Sequence, residues 1–437
     1  MEKKPLWLEN IKFDKPKKID KDISVDVLIV GGGMTGLSTA YHLINSNLKV
    51  CVIEKNLIAH GVSSRTTGKL TYLQDNIYSK LKSNAKRYYE SQKDAIKMVE
   101  DIISKNNIDC NYEKVESYIY TNKNNEIKTI KKEEEMLRNL NIKYKKYNKL
   151  PIDIDCKYAI SVSDTAVFHP IKYLKSLKDI ITKNDIDVYE NSCLTDIKKI
   201  NDKYVCKVNN HTITAEKIII ASHYPYFLFP FLTPLRTYIE KSYISATSID
   251  KTKPFSAITV SQPITSIRYH QDTKNYFIFL NGTHNLCMKH DSKDNFNLLL
   301  SDLNKLKLKP SFIWSNHDLM SEDYLPYIGF IDKNLLIGTG YNTWGMTNGS
   351  LAGKILSDLI LKKENKYQSL FDPKRNKKLN VFKYPLYIAF SIVSFVESKI
   401  VKNKSFYKSN VKLMVKMLVF ILMKIIKNIS FIIYVLI

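Results

Sequence analysis

VDVLIVGGGMTGLSTAYHLINSNLKVCVIE, residues 25–54, decides how the rest of the chain is read. VDVLIV (25–30) is a short apolar run of the kind buried on both faces of a parallel sheet. Gly31-Gly32-Gly33-Met34-Thr35-Gly36 follows, after which Leu37, Ala40, Tyr41 and Ile44 recur at helical spacing. KVCVIE (49–54) reads as a second strand ending in Glu54. A bare GxGxxG says little. Between a strand and a helix, with an acid 18 positions after the last glycine, it reads as a dinucleotide site. Gly31 permits the tight turn, Gly33 lets the main chain approach a pyrophosphate, and Gly36 lets helix and strand pack closely. The helix start, Met34 and Thr35, offers N–H groups and partial positive charge to the phosphates. Glu54, with Lys55 beside it, is placed to accept hydrogen bonds from ribose hydroxyls and disfavours a 2′-phosphate.

Only 13 glycines occur in 437 residues. Six lie between 31 and 68, six between 329 and 353, and none between 69 and 281. Where glycine is so scarce, its clusters mark backbone that cannot tolerate a Cβ, so both segments are assigned to one close-fitting site. After Glu54 the chain reads NLIAHGVSSRTTGKLTY, in which Ser63, Arg65, Thr66, Thr67 and Gly68 suit a segment lying along a flavin. A single GxGxxG also argues for a flavin reduced directly by substrate, because reduction by NAD(P)H commonly brings a second nucleotide fold. In the second cluster, LLIG is a strand and GYNTWGMTN a loop feeding the helix SLAGKILSDLI. Gly338 and Gly340 fall in the strand and its turn. Backbone N–H groups of Gly345, Met346 and Thr347 are expected to face the flavin edge where charge gathers on reduction.

Composition bounds the alternatives. With 44% apolar and 25% charged residues the chain is globular, neither disordered nor collagen-like, and long enough for two or three domains. Six cysteines lie far apart with no CxxC, so neither a zinc nor an iron–sulfur site can be written. Scattered thiols and an N-terminus without a signal-like apolar run lead to an expected cytoplasmic location. The formal charge of +24 would suit nucleic acid or an anionic membrane, yet Lys, Ile, Asn and Tyr all come from A/T-rich codons. No nucleic-acid partner is expected.

These stretches resemble the FAD-dependent oxidoreductases of the D-amino-acid oxidase, glycine oxidase and sarcosine oxidase superfamily, most of all bacterial members that carry a C-terminal Rieske domain. Further likeness lies in FHPIKYLKSL (168–177), in 186–225 and in LPYIGFIDKNLLIGTGYNTWGMTNGSLAGKILSDLI (325–360). The resemblance implies an α/β fold: a Rossmann-like FAD-binding domain with an inserted, mostly antiparallel α+β substrate domain. Residues 1–22 would be an N-terminal arm. Residues 23–83, 151–237 and 319–370 would form the FAD domain, 84–150 and 238–318 the substrate domain, and 371–437 a basic, hydrophobic tail. It also implies oxidation of a small amine or amino acid by hydride transfer to flavin N5, with dioxygen or an external carrier as acceptor. Another C–H donor, such as a hydroxy acid, and a non-catalytic FAD-binding relic remain as alternatives. Leu194 falls where a backbone group meets adenine, and Ala221-Ser222 replaces the family's Ala-Thr-Gly.

On the substrate side, Arg268 in an apolar strand fits a carboxylate clamp and equally a rim salt bridge. His284 and His223 read as ring contacts or bases, or as structural histidines. Tyr327, Tyr341 and Trp344 suit an aromatic wall or the core, and Lys69 a place near flavin N5. From 362 onward, 16 Lys/Arg face 3 acidic residues. Two readings of this tail stand side by side: a peripheral anchor on the inner face of the membrane, and a remnant of the Rieske-bearing architecture. KNKSFYKSNVK (402–412) resembles the lead into that domain, but no cysteine follows Cys287, so no iron–sulfur cluster is expected.

Overall fold

The computed structural model describes residues 3–225, 236–250, 253–285 and 292–375. Its strands are β1 Ile23–Val30, β2 Val50–Ile53, β3 Lys69–Leu70, β4 Glu113–Thr121, β5 Lys145–Tyr147, β6 Tyr158–Val167, β7 Asp187–Tyr189, β8 Leu194–Ile200, β9 Lys203–Val208, β10 His211–Ile220, β11 Thr237–Ser248, β12 Phe255–Thr259, β13 Ser266–Gln271, β14 Asn275–Asn285, β15 Phe312–Ser321, β16 Tyr327–Asp332 and β17 Leu335–Thr339. Its helices are α1 Met34–His42, α2 Ile77–Leu81, α3 Ala85–Lys105, α4 Ile127–Asn139, α5 Pro170–Lys183, α6 Ser292–Lys305, α7 Gly345–Ile360 and α8 Gln368–Phe371.

The strands form two sheets. The first follows β16-β17-β10-β1-β2-β7, with the β8–β9 hairpin added on β10. β1 is central, and its pairings with β2 and β10 are parallel. Every second residue of such a strand faces one layer, which explains the continuous apolar run. Val27, Ile29 and Val52 pack against α1, α5 and α7, while Leu28, Cys51 and Ile218 join Tyr204, Cys206 and Val208 of the hairpin. The C-terminal ends of β1, β2 and β10 come level at Val30, Ile53 and Ile220, where parallel sheets bind ligands.

The second sheet has nine strands, in the order β15-β11-β14-β13-β12-β4-β6-β3 with β5 on β6. Its pairings are antiparallel except that of β12 with β4. The expected boundary at 151 differs from this pairing. β6 hydrogen-bonds to β4, so 158–167 lies in the second sheet, and the switch to the first comes at α5. There His169 caps the helix by accepting the Lys172 N–H at 3.2 Å on Nδ1, with Pro170 in the first turn.

Two contacts fix the crevice between the layers. α7 lies so close to α1 that a Cβ on Gly353 would stand 2.3 Å from Ser38 Oγ, and Ser38 Oγ donates to Ser350 O at 3.0 Å. The N-terminal arm is packed into the body: Trp7 is fully buried and its Nε1 donates to Thr66 O at 2.6 Å. At the other end, Arg375 holds Asp323 through two 2.8 Å bonds and lies 4.3 Å from the Tyr327 ring. The chain is thus anchored through 375. The proposed anchor or remnant beyond it, and Cys287, lie outside the described residues. Among those residues no helix is long and apolar enough to cross a membrane.

Candidate active site

The turn after β1 is built as the glycines require. Gly31 has φ +116°, and a Cβ there would fall 2.5 Å from Ala221 O, where β10 ends. A Cβ on Gly36 would fall 1.9 Å from Gly31 O, so only glycine lets α1 close onto the turn. Gly33 caps α1, and Met34 N–H is met by Ser63 Oγ at 3.2 Å, which brings the hydroxyl-rich segment to the helix start. Glu54 Oε2 accepts from Gly32 N at 2.9 Å, and Ser192 N donates to Glu54 O, which holds the segment leading to Leu194 beside the turn. Lys55 is exposed beside it.

The second cluster meets the first. Tyr341 OH lies 2.6 Å from Thr35 Oγ1, and a Cβ on Gly338 would touch both residues. Gly340 turns at φ +72°, and Thr343 holds φ +70°, a strained value for a β-branched residue. Asn342 fixes this loop by accepting Ser321 N at 2.8 Å. Thr347 Oγ1 accepts the Thr71 N–H at 3.4 Å, tying the start of α7 to the segment after β3. Behind it Gln74, Gln92, Asn348 and Tyr88 form a closed ring of buried side-chain hydrogen bonds.

Between the layers lies a cavity of about 270 Å³. Thr66, Thr67 and Lys69 form one wall, Thr343, Trp344 and Met346 another, and β11, β14 and β15 the floor. The two glycine-rich segments therefore converge on one crevice. Trp344 and Lys69 both line it. Lys69 Nζ donates to Ala257 O and Ser266 Oγ, both at 2.7 Å, and burial with the nearby Arg268 charge holds its pKa well below the usual lysine range.

Three expected catalytic residues are placed elsewhere. Arg268 is fully buried: Nη1 donates to Thr67 O, Gly68 O and Phe168 O at 2.7–2.9 Å, and Trp7 covers its guanidinium at 5.0 Å. It cannot clamp a substrate, because Nε and Nη1 are committed to carbonyls and Nη2 faces His270 Nδ1 at 3.2 Å. Its role is to fix the Thr66–Gly68 segment, and a Cβ on Gly68 would collide with Nη1 at 2.3 Å. Burial lowers its pKa to about 9, leaving it charged at neutral pH, and that charge adds to burial in keeping His270 and His169 neutral. Tyr327 is buried under Arg375 and Gly340. His284 stacks on Tyr243 at 5.7 Å, while its neighbour Thr283 faces the cavity. His223, at φ +63°, has a buried Nε2 with no hydrogen-bond partner among the described residues. Burial, then His317, lowers its pKa to about 4.

The floor carries residues that the sequence did not single out. Glu240, Ser242, Asn316 and Asp318 all line the cavity. Their signal was polar residues in otherwise apolar strands, but their grouping depends on the β11–β15 register.

Comparison with known proteins agrees with this geometry. The pattern described as DAO, FAD dependent oxidoreductase, matches residues 26–359. The chain belongs to that family. The putative Rieske 2Fe-2S iron–sulfur protein YhfW of Bacillus subtilis (strain 168) is 32% identical over 381 residues, covering 84% of this chain and 75% of that one. Gamma-glutamylputrescine oxidoreductase of Escherichia coli (strain K12) is 24% identical over 368 residues, covering 78% and 85%. Among solved structures, glycine oxidase from Geobacillus kaustophilus shares the fold with a TM-score of 0.67 at 17% identity, covering 80% of this chain and 99% of that one. The protein is an FAD-dependent oxidoreductase, and the expected mixed α/β FAD-binding fold is the one found. The turn at Gly31–Gly36, where an added Cβ on Gly31 or Gly36 would strike backbone, the α1 start and Glu54 fit the adenine dinucleotide. Among the described residues no group of three or more His, Cys, Asp or Glu is arranged to hold a metal.

Proposed function

We propose that the protein oxidises a small amine or amino acid by hydride transfer to flavin N5. The observation that carries this reading is the cavity between the layers, walled by both glycine-rich segments and floored by polar side chains of β11 and β15. FAD, which the Gly31–Gly36 turn, the α1 start and Glu54 would hold, would supply the two-electron acceptor for the C–H hydrogen, with the amine proton passing to solvent and water hydrolysing the C=N product. Dioxygen or an external carrier would serve as the final electron acceptor. The chain's own part is positioning and charge placement. Trp344 and Met346 at the start of α7 form one wall, and Lys69 is held against the opposite one. A neutral amine needs no dedicated protein base for C–H cleavage.

Anaerobic mixing of the FAD-loaded protein with amines, amino acids and hydroxy acids, following visible flavin absorbance, tests the reading. Bleaching by an amine or amino acid supports it. Bleaching by hydroxy acids alone, or by dithionite alone, overturns it.

A further inference from the structure

β11 and β15 pair so that Glu240 stands opposite Asp318 and Ser242 opposite Asn316. The two-residue period of a strand puts all four side chains on one face, and all four line the cavity. Acids directly opposite one another weaken a strand pair, so their presence needs a reason. Burial, then the Glu240 charge, pushes Asp318 up to about 7, and burial likewise raises Glu240. Among the described residues neither carboxylate has an ion-pair partner. Asp318 meets Asn316 Nδ2 only at 3.4–3.5 Å.

A second observation is independent of the acids. Ser242 Oγ and Asn316 Oδ1 are buried and have no hydrogen-bond partner among the described residues, and the two residues are 3% and 4% exposed. Two carboxylates and two unmet oxygens line one patch of the cavity. An ammonium group, with three donors and no acceptor, is the complement of that patch.

The cations around the cavity are already engaged. Lys80 pairs with Asp75 at 3.0 Å, Lys69 donates to Ala257 O and Ser266 Oγ, and Arg268 faces carbonyls. Among the described residues that line the cavity, both lysines already have partners.

We propose that Glu240 and Asp318, with Ser242 and Asn316, seat a protonated amino group of the substrate that is separate from the nitrogen beside the oxidised carbon. The substrate is then a small aliphatic diamine or polyamine, not an α-amino acid. The two nitrogens must differ because a neighbouring carboxylate keeps an ammonium protonated. Oxidation at carbon needs a lone pair on the adjacent nitrogen.

This deepens the amine reading above and rests on it. The test uses the full-length, FAD-loaded protein with three probes of similar length: putrescine, butylamine and γ-aminobutyrate. Calorimetric binding and anaerobic bleaching are both read. Putrescine should bind at least about 10-fold more tightly than butylamine, the worth of one charge-assisted hydrogen bond, and γ-aminobutyrate should bind most weakly. Asp318→Asn and Glu240→Gln should abolish the putrescine advantage while the protein keeps its yellow colour. Butylamine or γ-aminobutyrate matching putrescine in the unaltered protein would overturn the proposal, whatever the variants do. So would yellow variants that bind putrescine as the unaltered protein does. In either case bleaching by another amine or amino acid leaves the broader reading standing, whereas a flavin reduced only by hydroxy acids removes both.

Discussion

Replacing Gly36 by alanine tests the nucleotide turn most sharply. The added Cβ would lie 1.9 Å from Gly31 O, 3.1 Å from Gly31 C and 3.3 Å from Ile29 Cγ2. The nearest two atoms are backbone and cannot swing aside. Ordinary contact begins at 3.4 Å, so the start of α1 must retreat by about 1.5 Å. The retreat draws its amides away from the pyrophosphate position, where the helix-start charge falls off within a turn. Overpacking of this kind costs about 1–3 kcal/mol, which corresponds to roughly 5- to 150-fold weaker FAD binding if it falls on the bound state. The assay is FAD titration of the apoprotein, with melting curves with and without FAD. Gly61→Ala is the control, since a Cβ there meets nothing within 4 Å. FAD affinity unchanged in Gly36→Ala, or lost equally in Gly61→Ala, would refute the reasoning.

Further outcomes follow from particular contacts. Trp7→Ala should cost about 3–5 kcal/mol in urea unfolding, because the indole is fully buried and covers Arg268; a cost below about 1 kcal/mol would show the arm to be dispensable. Gly353→Ala forces a Cβ within 2.7 Å of the Ser38 backbone and should lower the melting temperature by separating α1 from α7, while an unchanged melting curve would contradict that packing. Asp318→Asn should stabilise the ligand-free protein in a pH-dependent way. The folded pKa, about 7, lies above the unfolded carboxylate value, so ionising Asp318 costs folding free energy that is absent at low pH and complete above 7. The variant's advantage should therefore be small near pH 5 and reach on the order of 1–2 kcal/mol at pH 8, after discounting for screening by cavity water. An advantage that shrinks as pH rises would contradict the assigned environment.

Sequence reading succeeded where the determinants are local. Gly31, Gly33 and Gly36 act within one strand–turn–helix, and scarcity of glycine elsewhere pointed to Gly338–Gly353 as the other half of the crevice. It failed where a side chain's partners are set by distant register. Arg268 stands in an apolar strand as a clamp would, but its acceptors Thr67 and Gly68 lie 200 or so residues away. His284 reads from the sequence as a ring contact, a base or a structural histidine, and only the strand register decides. The register shift opposite Lys241–Tyr243, at the positive-φ Gly282, changes the phase of β14 and turns Thr283 to the cavity instead. Glu240 and Asp318 belong to strands whose pairing no local pattern reveals. β6 was assigned to the wrong layer because its alternation is equally compatible with either sheet.

The most direct measurement is the visible spectrum of the purified protein before and after anaerobic addition of putrescine. The account predicts oxidised-flavin bands that collapse with the diamine and return on admitting air or an external oxidant. A protein that stays colourless with excess FAD, or a flavin that only dithionite can reduce, would contradict it.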